Sequence, residues 1–190
     1  MEAFLISAGI VALAEIGDKT QLLAMLLTLK FRRPWAIVAG MLVATLANHA
    51  GAGAVGHYLE AFIVKLAGVE SLHWILAAGF LLMAAWTLIP DKIEDEEDAI
   101  RRYRMGAFVT TVISFFLVEM GDKTQIATVA LAARFSNLGA VIAGTTCGMM
   151  LADVPMIFFC HKFAGRLPVK YVRWTAAACF AALAVGALLV

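Results

Sequence analysis

Two segments of the 190-residue sequence set the same acids and bases at the same spacing: Glu15-Ile16-Gly17-Asp18-Lys19-Thr20-Gln21 and Glu119-Met120-Gly121-Asp122-Lys123-Thr124-Gln125. In each, Glu and Asp stand at i and i+3, which puts two carboxylates on one face of a helix. Oxygen-only, acid-rich sets select hard divalent cations such as Ca²⁺, Mg²⁺ or Mn²⁺, whereas softer metals call for Cys or His. Neither motif contains a Cys or a His. Glu15, Asp18, Glu119 and Asp122 are therefore the candidate metal ligands. Thr20, Gln21, Thr124 and Gln125 add neutral oxygens next along and are candidates for the metal site or ion path. Lys19 and Lys123, at i+4 from each Glu, can balance acid charge or act in gating. Gly17 and Gly121 permit close helix approach or local unwinding.

These charges lie in apolar surroundings. The chain is 63% hydrophobic and 15% charged with mean hydropathy +0.89, against about 45–50% and about 25% in soluble proteins. Six spans of roughly 20 residues consume about 120 positions and leave only connections. A separate soluble domain, a nucleotide-binding domain and a nucleic-acid platform are excluded, and a net charge of +1 supplies no basic field for nucleic acid. No G-x-x-x-x-G-K-[ST] occurs, so this chain does not hydrolyse ATP. Cys147, Cys160 and Cys179 lie in apolar stretches without C-x-x-C spacing and read as packing residues.

Apolar runs predict helices over residues 3–29, 35–58, 73–89, 106–132, 138–160 and 173–190. Residues 1–14 lack the basic start of a signal peptide, and the segment after Ala14 returns later in the chain. Eleven Lys and Arg lie in the connections after the first, third and fifth runs, against Lys65 and Arg134 on the other side. That bias places both termini outside the cytoplasm of a plasma (inner) membrane protein. Trp35, Trp74 and Trp174 fall at span ends, where indole rings favour the interface. The charge run from Asp91 to Asp98 reads as a solvated cytoplasmic linker.

The chain also repeats itself. At an offset of 104, eight of 17 positions from Glu15 to Phe31 match Glu119 to Phe135, and Ala36, Ala39, Gly40 and His57 match Ala140, Ala143, Gly144 and His161. The expectation is an all-α integral membrane protein of six transmembrane helices, with repeats at 1–90 and 105–190 and an acidic linker at 91–104. Three spans is an odd number, so the second copy enters from the opposite side and the halves are inverted. Secondary transporters use this plan, with the site near the midplane where the repeats meet.

Each Glu falls near mid-span. Burying the six charges of the two motifs costs roughly 15–20 kcal/mol before pairing or hydration, and intramembrane ionisable groups are functional-site candidates by default. Asp153, two residues before Pro155, and Asn48 are further candidates for the ion path. His49 reads as an interhelical hydrogen-bonding group. Ser7, Thr110, Thr111 and Ser114 read as bonding back to their own helices, Gly51, Gly53 and Gly56 as close helix contacts, and His57 and His161 as interface packing.

The paired E-x-G-D-K-T segments on a six-helix chain of this length closely resemble the Gdt family of cation/proton exchangers, the transmembrane protein 165 family. The resemblance covers essentially the whole chain, and both motifs match without departure. It implies export of Mn²⁺ or Ca²⁺ from the cytoplasm in exchange for protons, with the motif acids binding the cation and no resident cofactor. The short layout resembles the bacterial members, which tilts the implied ion toward Mn²⁺. Its partners are then the cation, protons and the bilayer. Three rivals compete: an exporter of a small organic solute such as an amino acid, an intramembrane aspartyl protease, and a passive channel. Organic solutes need an apolar or aromatic lining beside the charges, and the motifs supply mainly small polar groups. A protease needs two acids in unlike environments, and the two copies here are alike, so an enzyme is not expected.

Overall fold

The computed structural model describes residues 1–87 and 105–163, with residues 181, 184 and 185. Among the described residues every regular element is helical: α1 Glu2–Glu15, α2 Lys19–Phe31, α3 Pro34–Thr87, α4 Ala107–Glu119, α5 Lys123–Arg134 and α6 Leu138–Phe163. The linker expected at 91–104, and the span expected at 173–190 apart from residues 181, 184 and 185, lie outside the described residues.

The runs at 3–29 and 106–132, each expected as one helix, are both broken in the middle. Gly17 and Gly121 have φ of 82° and 76°, a left-handed conformation that glycine adopts without steric penalty and that no α-helix can pass through. On either side the chain is extended: Ile16 and Met120 have ψ of 114° and 121°, and Asp18 and Asp122 have ψ of 166° and 170°. Identical bonds hold the two breaks. The Gly17 N–H donates to Gln21 Oε1 at 2.8 Å and the Gly121 N–H to Gln125 Oε1 at 2.7 Å. The Asp18 and Asp122 N–H groups donate to the Glu15 and Glu119 carbonyls at 3.0 and 3.1 Å. Hydropathy runs on across both breaks because both flanks are apolar; the backbone is decided by a glycine and a glutamine four residues on. At about 1.5 Å per residue each half-helix is about 20 Å long, too short to cross about 30 Å of hydrocarbon alone.

The runs at 35–58 and 73–89, expected as separate spans, are two helices within α3 that meet at the non-helical Gly68 (φ 82°, ψ 169°), with the residues between the two runs also helical. Lys65 and Glu70, on either side of Gly68, are exposed and do not oppose a helix. Among the described residues, two helical stretches are long and apolar enough to cross a membrane, Pro34–Trp86 and Leu138–Phe158.

Polarity is distributed inside out. Trp35 is 74% exposed, Leu66 74% and Leu82 71%, whereas Glu15, His49, Glu119 and Asp153 are fully buried. So much bare apolar surface suits hydrocarbon rather than water. Two apolar clusters hold the bundle, one around Leu72, Leu76, Phe80 and Leu131, the other around Leu23, Leu27, Met41, Phe115 and Met149.

The helices interleave between copies. Gly144 on α6 faces α1, where an added Cβ would meet the Phe4 carbonyl oxygen at 2.5 Å and Ser7 Cβ at 3.0 Å. Gly40 on α3 faces α4, where a Cβ would meet the Phe108 carbonyl oxygen and Thr111 Cβ, both at 2.8 Å. The offset of 104 relates these contacts residue by residue. Gly53 and Gly56 are also close contacts, but Gly51, expected to be one, has nothing within 4 Å of its Cβ position. Gly144→Ala is expected to lower stability by about 1–3 kcal/mol through overpacking against fixed backbone, read as a fall in thermal midpoint in detergent. Gly9→Ala, whose Cβ meets nothing within 4 Å, serves as the control; equal midpoints for the two would refute the close packing.

Candidate metal centre

The two breaks bring their acids together. Glu15, Asp18 and Asp122 each place a carboxylate oxygen within 4.8 Å of the others, and all three residues are buried. Oxygens ligating one ion at about 2.1–2.6 Å stand at most about 4.2–5.2 Å apart, so the cluster has the dimensions of a hard-cation site. Glu15 ends α1, Asp18 caps α2 and Asp122 caps α5. The broken backbone is what turns acids from different half-helices toward one point.

The lysines cross between the copies. Lys19 Nζ lies 3.1 Å from Asp122 Oδ1, and Lys123 Nζ lies 2.9 Å from Asp18 Oδ1. Spacing along one helix pointed each lysine at its own segment's Glu; the ion pairs instead tie each segment to the other's Asp. They are not equivalent in burial, since the Lys19 side chain is 23% exposed and that of Lys123 only 4%.

Glu119, the fourth motif acid, is fully buried and faces His49 of α3, whose Nε2 lies 2.8 Å from Glu119 Oε1. His49 Nδ1 is 3.5 Å from Thr146 Oγ1. These are the interhelical polar contacts expected of His49, and one partner is a motif acid. His49 sits mid-span and the repeat pairs it with Asp153.

The neutral groups divide. The Thr20 hydroxyl donates to Glu15 Oε2 at 2.5 Å, while Thr124 Oγ1 is buried with no hydrogen-bond partner among the described residues. The amide oxygens of Gln21 and Gln125, candidates for the metal site or ion path, accept the Gly17 and Gly121 N–H groups. Their amide nitrogens reach across the bundle: Gln21 Nε2 donates to the Ala152 carbonyl at 3.0 Å, and Gln125 Nε2 donates to Asn48 Oδ1. These glutamines brace the two breaks against α6 and α3. Asp153 is fully buried on α6 beside Ala152. Thr111 and Thr110 bond back as expected, to the Ala107 and Met105 carbonyls at 2.7 and 3.1 Å. Ser7 and Ser114 do not: their buried hydroxyls have no partner among the described residues. His57 stands exposed on α3 beside Tyr58.

Fold and site together define a helical, apolar-surfaced bundle with a buried carboxylate cluster fit for a hard divalent cation. The sequence profile of the family described as "Divalent cation/proton antiporter GDT1" matches residues 3–95 and 107–190, and the chain belongs to that family. It is thus of a transporter family, not an enzyme family. A Vibrio cholerae protein named "Putative manganese exporter" is 44% identical over 98% of this chain and 90% of its own length. A GDT1-like protein of Synechocystis is 30% identical over 90% of this chain and 89% of its own. An Arabidopsis thaliana GDT1-like protein is 26% identical over 76% of this chain and 77% of its own. No solved structure matches the chain.

Proposed function

We propose that the protein exports a divalent cation, Mn²⁺ before Ca²⁺, from the cytoplasm in exchange for protons, with Glu15, Asp18, Glu119 and Asp122 as the acids of the transport site. The observation that carries this reading is the buried convergence of Glu15, Asp18 and Asp122 from both motif segments. The Vibrio relative's name supports Mn²⁺, and an all-oxygen donor set serves either ion.

In this reading residues 1–90 and 105–190 form two inverted three-helix halves joined by the linker at 91–104. The six crossings lie in the inner membrane with both termini outside the cytoplasm. Matching backbone breaks and the lysine pairs that cross between segments support it. The halves rock about the shared site and open it to one side at a time. Cation and protons compete for the same carboxylates, so cation release outside is followed by protonation there, and the reverse movement delivers protons inward. Two protons per cation make the cycle electroneutral. Lys19 and Lys123 hold the acids together between occupancies.

The test is Mn²⁺ flux in proteoliposomes reporting internal pH. An imposed proton gradient is expected to drive Mn²⁺ movement with opposite proton movement, and a protonophore that collapses the gradient is expected to abolish that drive. Mn²⁺ flux that neither moves protons nor responds to the gradient would refute the exchange.

A further inference from the structure

The glutamine braces of the two breaks are one contact made twice. The offset that carries Gln21 to Gln125 also carries Asn48 to Ala152. Gln21 Nε2 donates to the Ala152 carbonyl and Gln125 Nε2 to Asn48 Oδ1, so each glutamine meets the same repeat position in the opposite copy. The partners differ in kind. Ala152 offers a backbone oxygen held in place by α6, whereas Asn48 offers a side-chain oxygen that turns about χ1 and χ2.

Asn48 does more than its counterpart can. It is buried, and its Nδ2 donates to the Phe116 carbonyl of α4 at 3.4 Å. One carboxamide on α3 therefore ties together α4, ahead of the break, and α5, behind it. From Gln125 the hold passes to the Gly121 N–H at 2.7 Å, and next along the chain stands Asp122, one of the three clustered acids. The surroundings of the breaks differ as well. Ile16 and Gly17 are half-buried, while Met120 and Gly121 are exposed. A cavity of about 360 Å³ lies against the Asn48–Gln125 bridge, lined also by Phe116, Met120, Ile126 and Val129. Close-packed interiors resist movement, and this space gives the residues on both sides of the second break room for it.

We propose that Asn48 is a positioning residue for the cation site: a latch that sets Asp122 through Gln125 and Gly121, and whose release lets the second break yield during transport. This rests on the cation-exchange reading and adds to it which break moves. With the bridge closed, Asp122 stands beside Glu15 and Asp18. With Asn48 turned away, Gly121 and the half-helices beside it lose this tie to α3, and the cluster opens from the second half. The first break, held by Gln21 on a backbone carbonyl, stays as the fixed frame.

Amide hydrogen exchange and Mn²⁺ binding on the purified full chain test this. In the wild type, residues 119–125 are expected to exchange about tenfold or more faster than residues 15–21, because a latched segment opens more often than a fixed one. Equal rates, or the reverse order, would overturn the proposal. Asn48→Ala is expected to speed exchange in 119–125 by about a further tenfold and to leave 15–21 unchanged; equal acceleration of both would mean general loosening and overturn it too. Asn48→Ala and Gln125→Ala are each expected to weaken Mn²⁺ binding about tenfold, and wild-type affinity in either would contradict the latch. The double variant is expected to bind no more than about threefold more weakly than either single, because the two side chains act as one unit. Effects that multiply to about a hundredfold would mean that Asn48 acts on the ion independently of Gln125, and the latch would fall. If Asn48→Ala does not fold, the wild-type exchange rates still decide. A wild type that binds no Mn²⁺ at all would instead defeat the cation-exchange reading, so the two failures are distinguishable.

Discussion

Glu15→Gln is expected to bring Mn²⁺ transport in proteoliposomes down to the level of protein-free vesicles, a loss of about a hundredfold or more for one missing buried charge. Glu15 is fully buried, Oε2 accepts the Thr20 hydroxyl, and Oε1 has no hydrogen-bond partner among the described residues. Glutamine keeps the volume and the Thr20 contact and removes only the charge. Folding should therefore survive, with elution and helix content unchanged, and the loss falls on the transported ion. Glu119→Gln is expected to stop turnover as well, by leaving His49 without its carboxylate. Wild-type flux in either variant would remove that Glu from the transport cycle.

The second large effect concerns the unequal lysines. Lys123→Met removes an ammonium whose side chain is 4% exposed and which lies 2.9 Å from Asp18, itself 2% exposed at the side chain. Removing the cation from a buried ion pair is strongly destabilising, about 3–5 kcal/mol. Lys19→Met breaks a pair whose lysine is 23% exposed although its Asp122 side chain is only 3% exposed, so a buried carboxylate is again left behind and only the hydration that Lys19 keeps in the fold makes the loss smaller, about 2–3 kcal/mol. The detergent thermal midpoint should therefore fall further for Lys123→Met. Saturating Mn²⁺ should recover more of the midpoint in that variant than in the wild type, because the cation supplies the charge Asp18 has lost. Equal midpoints for the two variants, or no added benefit from Mn²⁺, would contradict this account of the lysines.

Chemistry was more legible in the sequence than geometry. The acids announced themselves because charge in an apolar run is costly and here occurs twice at one spacing; Glu15, Asp18 and Asp122 meet, while Glu119 stands against His49. The backbone breaks were half legible: Gly17 and Gly121 marked where unwinding was possible, but only their positive φ and the glutamine braces make it happen. The crossed lysine pairs were not legible, since i+4 spacing describes neighbours on one helix and the actual partners lie 103 and 105 positions away. The break at Gly68 falls between the two spans expected at 35–58 and 73–89, and the helices run closer to it than apolar composition alone shows, carrying exposed Lys65 and Glu70. His49 makes the interhelical polar contacts its place in a span leads one to expect, and only the distance shows that one partner is the motif acid Glu119.

The most direct test of convergence is to count Mn²⁺ ions bound per chain in detergent, for the wild type, for Glu15→Gln and for Asp122→Asn. One ion per chain is expected, and either substitution alone, one in each motif segment, should abolish that same ion. Two ions per chain, each lost to a different substitution, would mean that the two segments bind separately and share no site.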